Sequence, residues 1–229
     1  MSGFLKQLEN EVSSEWETIK SGLFWNIMRE EGFNTELYKL LMLQIFHYTK
    51  HNAINQAVAT YKINHTEVPL LRFCFKHALE ELGHENMVVR DLDSIGLYSP
   101  EDLASGALPA TQALVGYLYH VALELGGLAR LGYSYWAESS YGHLAEMTDH
   151  MKDDLNLKDN NMTFFVAHSA IDEKHSAEVN DAIEKNVKTD TQKKIVIDVA
   201  RTTLYMTGVM FNNVAEVYLV NKKKKAVSA

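Results

Sequence analysis

Proline, glycine and cysteine are scarce in this sequence, and each shortage limits what the protein can be. Three prolines and twelve glycines in 229 residues leave few breakpoints, so we expect long, uninterrupted secondary-structure elements. Cys74 is the only cysteine, which excludes a disulfide within the chain. A free cysteine is typical of a reducing compartment, and we expect the protein to be cytoplasmic.

Long apolar runs are missing as well. No stretch reaches the ~18 residues that a membrane-spanning helix needs, because His120, Glu124 and Arg130 interrupt the most apolar segment, residues 113–135. Residues 1–20 are charged and polar and lack the apolar core of a signal peptide. We therefore expect no membrane partner.

Positive charge is in short supply. The 30 acidic residues outnumber the 22 basic ones, and the formal net charge of −8 argues against a nucleic-acid partner. The exception is the lysine run Lys222–Lys225. It lies in a tail, residues 221–229, that we expect to be flexible and solvated.

Apolar residues recur with helical spacing along most of the chain, and no segment shows sustained strand alternation. The pattern predicts helices over about 3–21, 23–29, 35–61, 70–95, 110–140, 143–153, 163–185 and 189–219. No linker rich in proline, glycine or serine divides them. The sequence therefore predicts an all-α protein in which residues 1–229 form one domain, a single bundle of about seven helices.

Histidines and carboxylates repeat one pattern on two of these helices. The trios are H-x3-E-x2-H at His77, Glu81 and His84, and H-x3-D-x2-H at His168, Asp172 and His175. Positions i, i+4 and i+7 of an α-helix fall within an arc of roughly 60°, so each trio shares one face. Imidazole and carboxylate are the donors that bind iron, manganese or zinc. Two such faces predict a metal site inside the bundle.

A site for two metal ions usually needs further carboxylates. Glu138 is the first candidate, and Glu124 is its rival because it also interrupts an apolar segment. His47 and His51 form another i, i+4 pair, in which His47 is the stronger candidate for an additional ligand or a pocket residue. We expect His120 to be buried in a pocket or in the core, since it lacks a nearby acid.

With these residues in place, the chain resembles the heme-oxygenase-like superfamily, in particular its non-haem di-iron oxidases and oxygenases. The likeness covers nearly the whole chain. It includes the long-helix layout, Ala-Leu-Glu-Glu-Leu-Gly-His at residues 78–84, Gly-Tyr-Leu-Tyr at residues 116–119, and the H-x3-D-x2-H motif. The resemblance implies six metal ligands: Glu81, His84, Glu138, His168, Asp172 and His175.

His77 departs from the family pattern, because some relatives have a carboxylate ligand one turn before Glu81. It could be a further ligand, a hydrogen-bond partner of a ligand, or a group that faces substrate. The haem-binding members carry their axial histidine near the start of the first helix, whereas residues 1–20 contain no histidine. The resemblance therefore implies a protein without haem.

The implied function is an O2-dependent oxidase or oxygenase that acts on a small organic metabolite. Two iron ions, or manganese with iron, would be its cofactor. We expect Tyr48, Tyr117, His120 and Phe165 to line the substrate pocket. N-oxygenation, desaturation with C–C cleavage and oxidative decarboxylation are all compatible with this reading.

Two metal-free branches share the fold and stand as alternatives. Thiaminase-type hydrolases use a cysteine, for which Cys74 is the only candidate. The pyrroloquinoline quinone biosynthesis protein C branch consists of cofactorless oxidases. Its pocket could be formed here by Tyr117, Tyr119, His120 and Arg130, but the two histidine and carboxylate trios would then have no function. A helical interaction module without chemistry is a third reading. The long last helix leaves a homodimer open.

Overall fold

The computed structural model describes residues 2–228, except for the side chains of residues 168–173. The described residues are mostly helical and contain no strand, so the all-α prediction is confirmed. The α-helices are α1 (Gly3–Lys20), α2 (Leu23–Glu31), α3 (Thr35–Thr49), α4 (Asn52–Ala59), α5 (Val68–Glu80), α6 (Glu85–Ser94), α7 (Pro100–Ala104), α8 (Pro109–His120), α9 (Gly127–Glu138), α10 (Tyr141–Leu155), α11 (Thr163–Asn186) and α12 (Asp190–Ser228). None of these described helices is both long enough and apolar enough to cross a membrane.

Three predicted helices are broken where the sequence pattern suggested continuity. The predicted helix 35–61 stops at Thr49 and restarts at Asn52, and the predicted helix 70–95 is interrupted between Glu80 and Glu85. The predicted helix 110–140 passes through a π-helical segment, Val121–Leu125, before α9 begins. Gly83 (φ 88°) and Gly126 (φ 84°) adopt left-handed backbone conformations at two of the breaks. Glycine takes these conformations without steric cost, so periodicity alone could not place the interruptions.

The long helix α12 is the central packing element, and its most extensive partner is α9. Val199, Ala200 and Leu204 are fully buried along its length. At Gly132 of α9, a Cβ atom would overlap the carbonyl oxygen of Val196 in α12. The two backbones therefore touch at this position, which sets the placement of α9 and of the residues at its end.

Helix α12 continues further than the sequence pattern indicated. Its predicted end near Leu219 was wrong, because the helix runs to Ser228. Lys222 contacts Glu31 at 2.5 Å and Lys225 contacts Glu36 at 2.6 Å. These exposed pairs add little to stability, but they join the basic end of α12 to α2 and α3.

The contact at Gly132 leads to a stability prediction. Gly132→Ala should destabilise the protein by about 1–3 kcal/mol, a typical cost of overpacking a core. The matched control is Gly116→Ala on α8, because a Cβ at Gly116 meets no atom within 4 Å. Urea unfolding of both variants measures the difference. Equal stability of the two variants would contradict the close α9–α12 contact.

Candidate metal centre

Four buried side chains converge inside the bundle: His77, Glu81, Glu138 and His175. Each offers one potential ligand atom, and these atoms all lie within 4.8 Å of one another. His77 comes from α5, Glu81 from the residue that follows α5, Glu138 from the last position of α9, and His175 from α11. Two helix ends and two helix interiors therefore build the cluster.

Glu138 lies between the two imidazoles. Its Oε1 is 3.1 Å from His77 Nε2, and its Oε2 is 3.2 Å from His175 Nδ1. Burial would raise the pKa of Glu138, but hydrogen bonds from His175 and His77 outweigh it and bring that pKa down to about 2. The carboxylate is therefore ionised at neutral pH, as a metal ligand must be.

Among the described residues, Glu81 is held through one of its two oxygens. Its Oε2 accepts a hydrogen bond from Asn52 Nδ2 at 2.9 Å and lies 3.3 Å from His84 Nδ1. Burial raises the pKa of Glu81, but the hydrogen bond from His84 and the charges of His84 and His77 together outweigh it and leave that pKa below its usual value. The other oxygen, Oε1, is buried, makes no hydrogen bond to the described residues, and lies 3.9 Å from His175 Nδ1.

These donors fit a metal ion. Glu81 Oε1 and His77 Nδ1 are buried without hydrogen bonds among the described residues, and a buried polar atom without a partner is costly. Two imidazoles and two carboxylates are a donor set suited to iron or manganese. The hydrogen bond that His175 donates to Glu138 raises the pKa of His175, so a metal ion that binds its Nδ1 must displace a proton from that ring.

Groups around the cluster orient its members. His175 Nε2 lies 3.4 Å from Glu80 Oε2, on the ring edge opposite the Nδ1 that faces Glu138. Lys174 in turn holds Glu80 at 3.0 Å. A carboxylate behind a histidine ligand helps to orient the ring. Glu80 is in ion-pair contact with His175 on this edge, although its Oε2 makes no hydrogen bond to the described residues.

A fully buried arginine supports Glu81 through an asparagine. Arg130 Nη2 donates to Asn52 Oδ1 at 2.6 Å, and Asn52 Nδ2 donates to Glu81 Oε2. Arg130 also donates to Asn55 Oδ1 at 2.6 Å and to Ser134 Oγ at 3.0 Å. Because the side-chain oxygen of Asn52 accepts a hydrogen bond from Arg130, the NH2 group of Asn52 faces the carboxylate of Glu81.

The structure brings together three of the six predicted ligands, Glu81, Glu138 and His175, in one cluster. His84 lies at its edge, against Glu81. The side chains of His168 and Asp172 lie outside the described residues. His77, whose role the sequence left open, is a member of the cluster. Glu124 is exposed beside Lys62, at 4.0 Å, and lies away from the cluster.

Asn52 and Glu80 are the neighbours that sequence reasoning missed. Neither carries a signal in the sequence, because each acts through a contact between helices that are distant along the chain. Arg130 was visible as a charge inside an apolar segment, but its role depends on the position of Asn52, 78 residues earlier.

A cavity adjoins the cluster, and two of the four predicted pocket residues, Tyr48 and Phe165, line it together with Glu81 and Glu138. The prediction that His120 is buried was wrong, because His120 is exposed on α8. Tyr117 packs against His120, with ring centroids 5.9 Å apart, and does not line this cavity either. Tyr117 and His120 come before the start of α9, whereas Glu138 is the last residue of that helix. Helix α9 has 12 residues and is therefore about 18 Å long.

The remaining candidates lie outside the cluster. His47 is buried on α3, with Nδ1 3.3 Å from Lys50 Nζ. His51 contacts the Tyr119 hydroxyl at 3.2 Å. Cys74 is buried and does not line the cavity, and burial raises the pKa of its thiol to about 11. A thiol with that pKa is a poor nucleophile at neutral pH.

Comparison with known families gives this arrangement a context. Residues 40–208 match a family model described as an iron-containing redox enzyme. The chain belongs to this family. The resemblance to heme-oxygenase-like proteins that the sequence motifs suggested is thereby confirmed, and the cluster lies on elements within the matched region. A comparison with curated protein sequences found no match.

Solved structures support the same fold for this iron-containing redox enzyme family member. A domain of unknown function with a heme oxygenase-like fold from Shewanella denitrificans OS217 is 36% identical, with a TM-score of 0.89 over 95% of this chain and 94% of that one. A TenA homolog from Pseudomonas syringae pv. tomato is 13% identical, with a TM-score of 0.76 over 93% of each chain. A TenA homologue from Pyrococcus furiosus is 15% identical, with a TM-score of 0.69 over 92% of this chain and 99% of that one. The two TenA homologues show a shared fold alone.

The support of Glu81 by Asn52 can be tested with a matched pair of variants. Asn52→Ala and Asn55→Ala each remove a hydrogen-bond acceptor from Arg130, but only Asn52→Ala removes the donor to Glu81. Asn52→Ala should weaken Fe(II) binding about 10–100-fold, and Asn55→Ala should leave it close to wild type. Anaerobic titration measures both affinities. Equal losses in the two variants would show that Asn52 has no specific role toward Glu81.

Proposed function

We propose that the protein is an O2-dependent, non-haem oxidase or oxygenase that binds two iron ions, or manganese with iron, and acts on a small organic metabolite. The observation that carries this proposal is the buried group of His77, Glu81, Glu138 and His175, set beside a cavity in a member of an iron-containing redox enzyme family. Bound Fe(II) would supply electrons for the reduction of oxygen as substrate is oxidised.

The residues of the cluster would hold the ions from opposite sides. The two oxygens of Glu138 face different imidazoles, which suits a carboxylate that serves two ions. Glu81 and His84 would be further ligands on one side of the cluster. We propose His168 and Asp172, predicted from the motif, as further ligands.

The side chains around the cavity suit a reaction from which water must be excluded. Aromatic side chains of Tyr48, Tyr133, Trp136 and Phe165 line the cavity next to Glu81 and Glu138. Burial raises the pKa of both Tyr48 and Tyr133, whose hydroxyl oxygens lie 3.4 Å apart. Both phenols therefore keep their protons at neutral pH, and they place O–H groups rather than charges on this side of the cavity.

The metal-free alternatives receive less support from the geometry. The thiaminase-type reading needs Cys74 as nucleophile, yet this thiol is buried outside the cavity. The cofactorless-oxidase reading needs Arg130, Tyr117, Tyr119 and His120 around substrate. Arg130 is instead bonded to Asn52, Asn55 and Ser134, and His120 is exposed.

Metal analysis of a matched pair of variants tests the proposal. The wild type should bind about two equivalents of Fe(II) in an anaerobic titration. Glu138→Gln should lose at least one of them, because its amide cannot serve as an anionic ligand. Glu124→Gln makes the same change at the exposed rival position and should bind as the wild type does.

Two outcomes would contradict the metal centre. One is the absence of stoichiometric Fe(II) binding by the wild type. The other is equal binding by Glu138→Gln and wild type, with circular dichroism showing that the variant is folded.

A further inference from the structure

The cavity beside the cluster is narrow. Its volume is about 80 Å³. Small-molecule sites typically occupy clefts of ~300–1,000 Å³. The space is therefore small for a ligand site, which favours a slender ligand over a broad one.

The walls of the cavity are largely apolar. Among the described lining residues, Glu81 and Glu138 are the only charged groups, and no lysine, arginine or histidine lines the space. Aromatic and aliphatic side chains form most of the remaining surface, and Met147 and Met210 contribute flexible thioethers that adapt to the shape of a ligand. Burial of an apolar body is favourable here, while a phosphate or sulfonate would meet no basic partner from the described walls.

Two uncharged polar groups in the wall remain without partners. Thr49 Oγ1 and Trp16 Nε1 are buried, line the cavity, and make no hydrogen bond in the described part of the chain. Thr49 lies one turn before Asn52, the residue that contacts Glu81. A hydroxyl or carbonyl oxygen on a ligand could accept a hydrogen bond from either group.

We propose that the substrate is a slender molecule with an apolar body, an open aliphatic chain or a single ring, that carries a small polar group. The apolar body would lie between Trp16, Leu144 and Phe211, and the polar group would lie toward Glu81 and Glu138. The narrow space disfavours fused-ring compounds, and without metal the described walls offer a phosphate no basic side chain. This proposal rests on the proposed function, because the metal centre defines where the substrate would react. Binding of the apolar body of the substrate does not require metal.

The test measures binding to the full-length protein after chelation of metal, so that no turnover occurs. Calorimetry with straight-chain alcohols from butanol to dodecanol should show affinity rising about fourfold per methylene, as expected for burial of each CH2 group. The rise should stop once the cavity is filled. Octyl phosphate and naphthalenemethanol should bind at least tenfold more weakly than octanol, the first for its charge and the second for its width.

Variants in the wall locate the binding. Leu144→Trp should weaken binding of the long alcohols at least tenfold. Leu79→Trp makes the same change at an exposed position on α5 and should bind as the wild type does. Met210→Ala enlarges the cavity without adding bulk and should extend the chain length at which affinity stops rising. This second variant keeps the test decisive if Leu144→Trp fails to fold.

The outcomes separate this proposal from the metal centre. An affinity independent of chain length, or naphthalenemethanol bound as tightly as octanol, would overturn the substrate class even if iron binds as proposed. Alcohol binding that Met210→Ala leaves unchanged would overturn the assigned cavity. Conversely, chain-length-dependent binding by a protein that takes up no iron would support the substrate class and contradict the metal centre.

Discussion

The ionised carboxylate of Glu138 is tolerated inside the bundle because His77 and His175 each face one of its oxygens. A buried charge without partners costs several kcal/mol, so this carboxylate requires α5 and α11 to lie on either side of the end of α9. The close approach of α9 and α12 at Gly132 supplies the fixed position for that end. Helix packing and the chemistry of the site therefore depend on each other.

Helix ends carry much of the site. Glu81 follows the end of α5, His84 precedes α6, Asn52 begins α4 and Glu138 ends α9. A side chain at a helix end is free of the strict angular spacing of a continuous helix, so several helices can direct groups to one point. The break at Gly83 is thus part of how Glu81 comes to face both Asn52 and the cluster.

The sequence predicted the helical class and several members of the cluster, because periodicity and local motifs are properties of neighbouring residues. Glu81 and His175 were found through such motifs, whereas Glu138 was one of two candidate acids, and the resemblance to the family favoured it over Glu124. Two of the three helix breaks, at Gly83 and Gly126, were missed because one glycine in a left-handed conformation interrupts a helix without disturbing its apolar pattern. Asn52, Glu80 and the exposure of His120 were missed because they depend on how distant helices pack.

The central claim is that metal ions lie among His77, Glu81, Glu138 and His175. X-ray diffraction from crystals loaded anaerobically with Fe(II), recorded on both sides of the iron absorption edge, tests it most directly. Two anomalous peaks are expected within bonding distance of these side chains, with Glu138 between them. Iron bound elsewhere, or a fully loaded crystal without a peak beside Glu138, would contradict it.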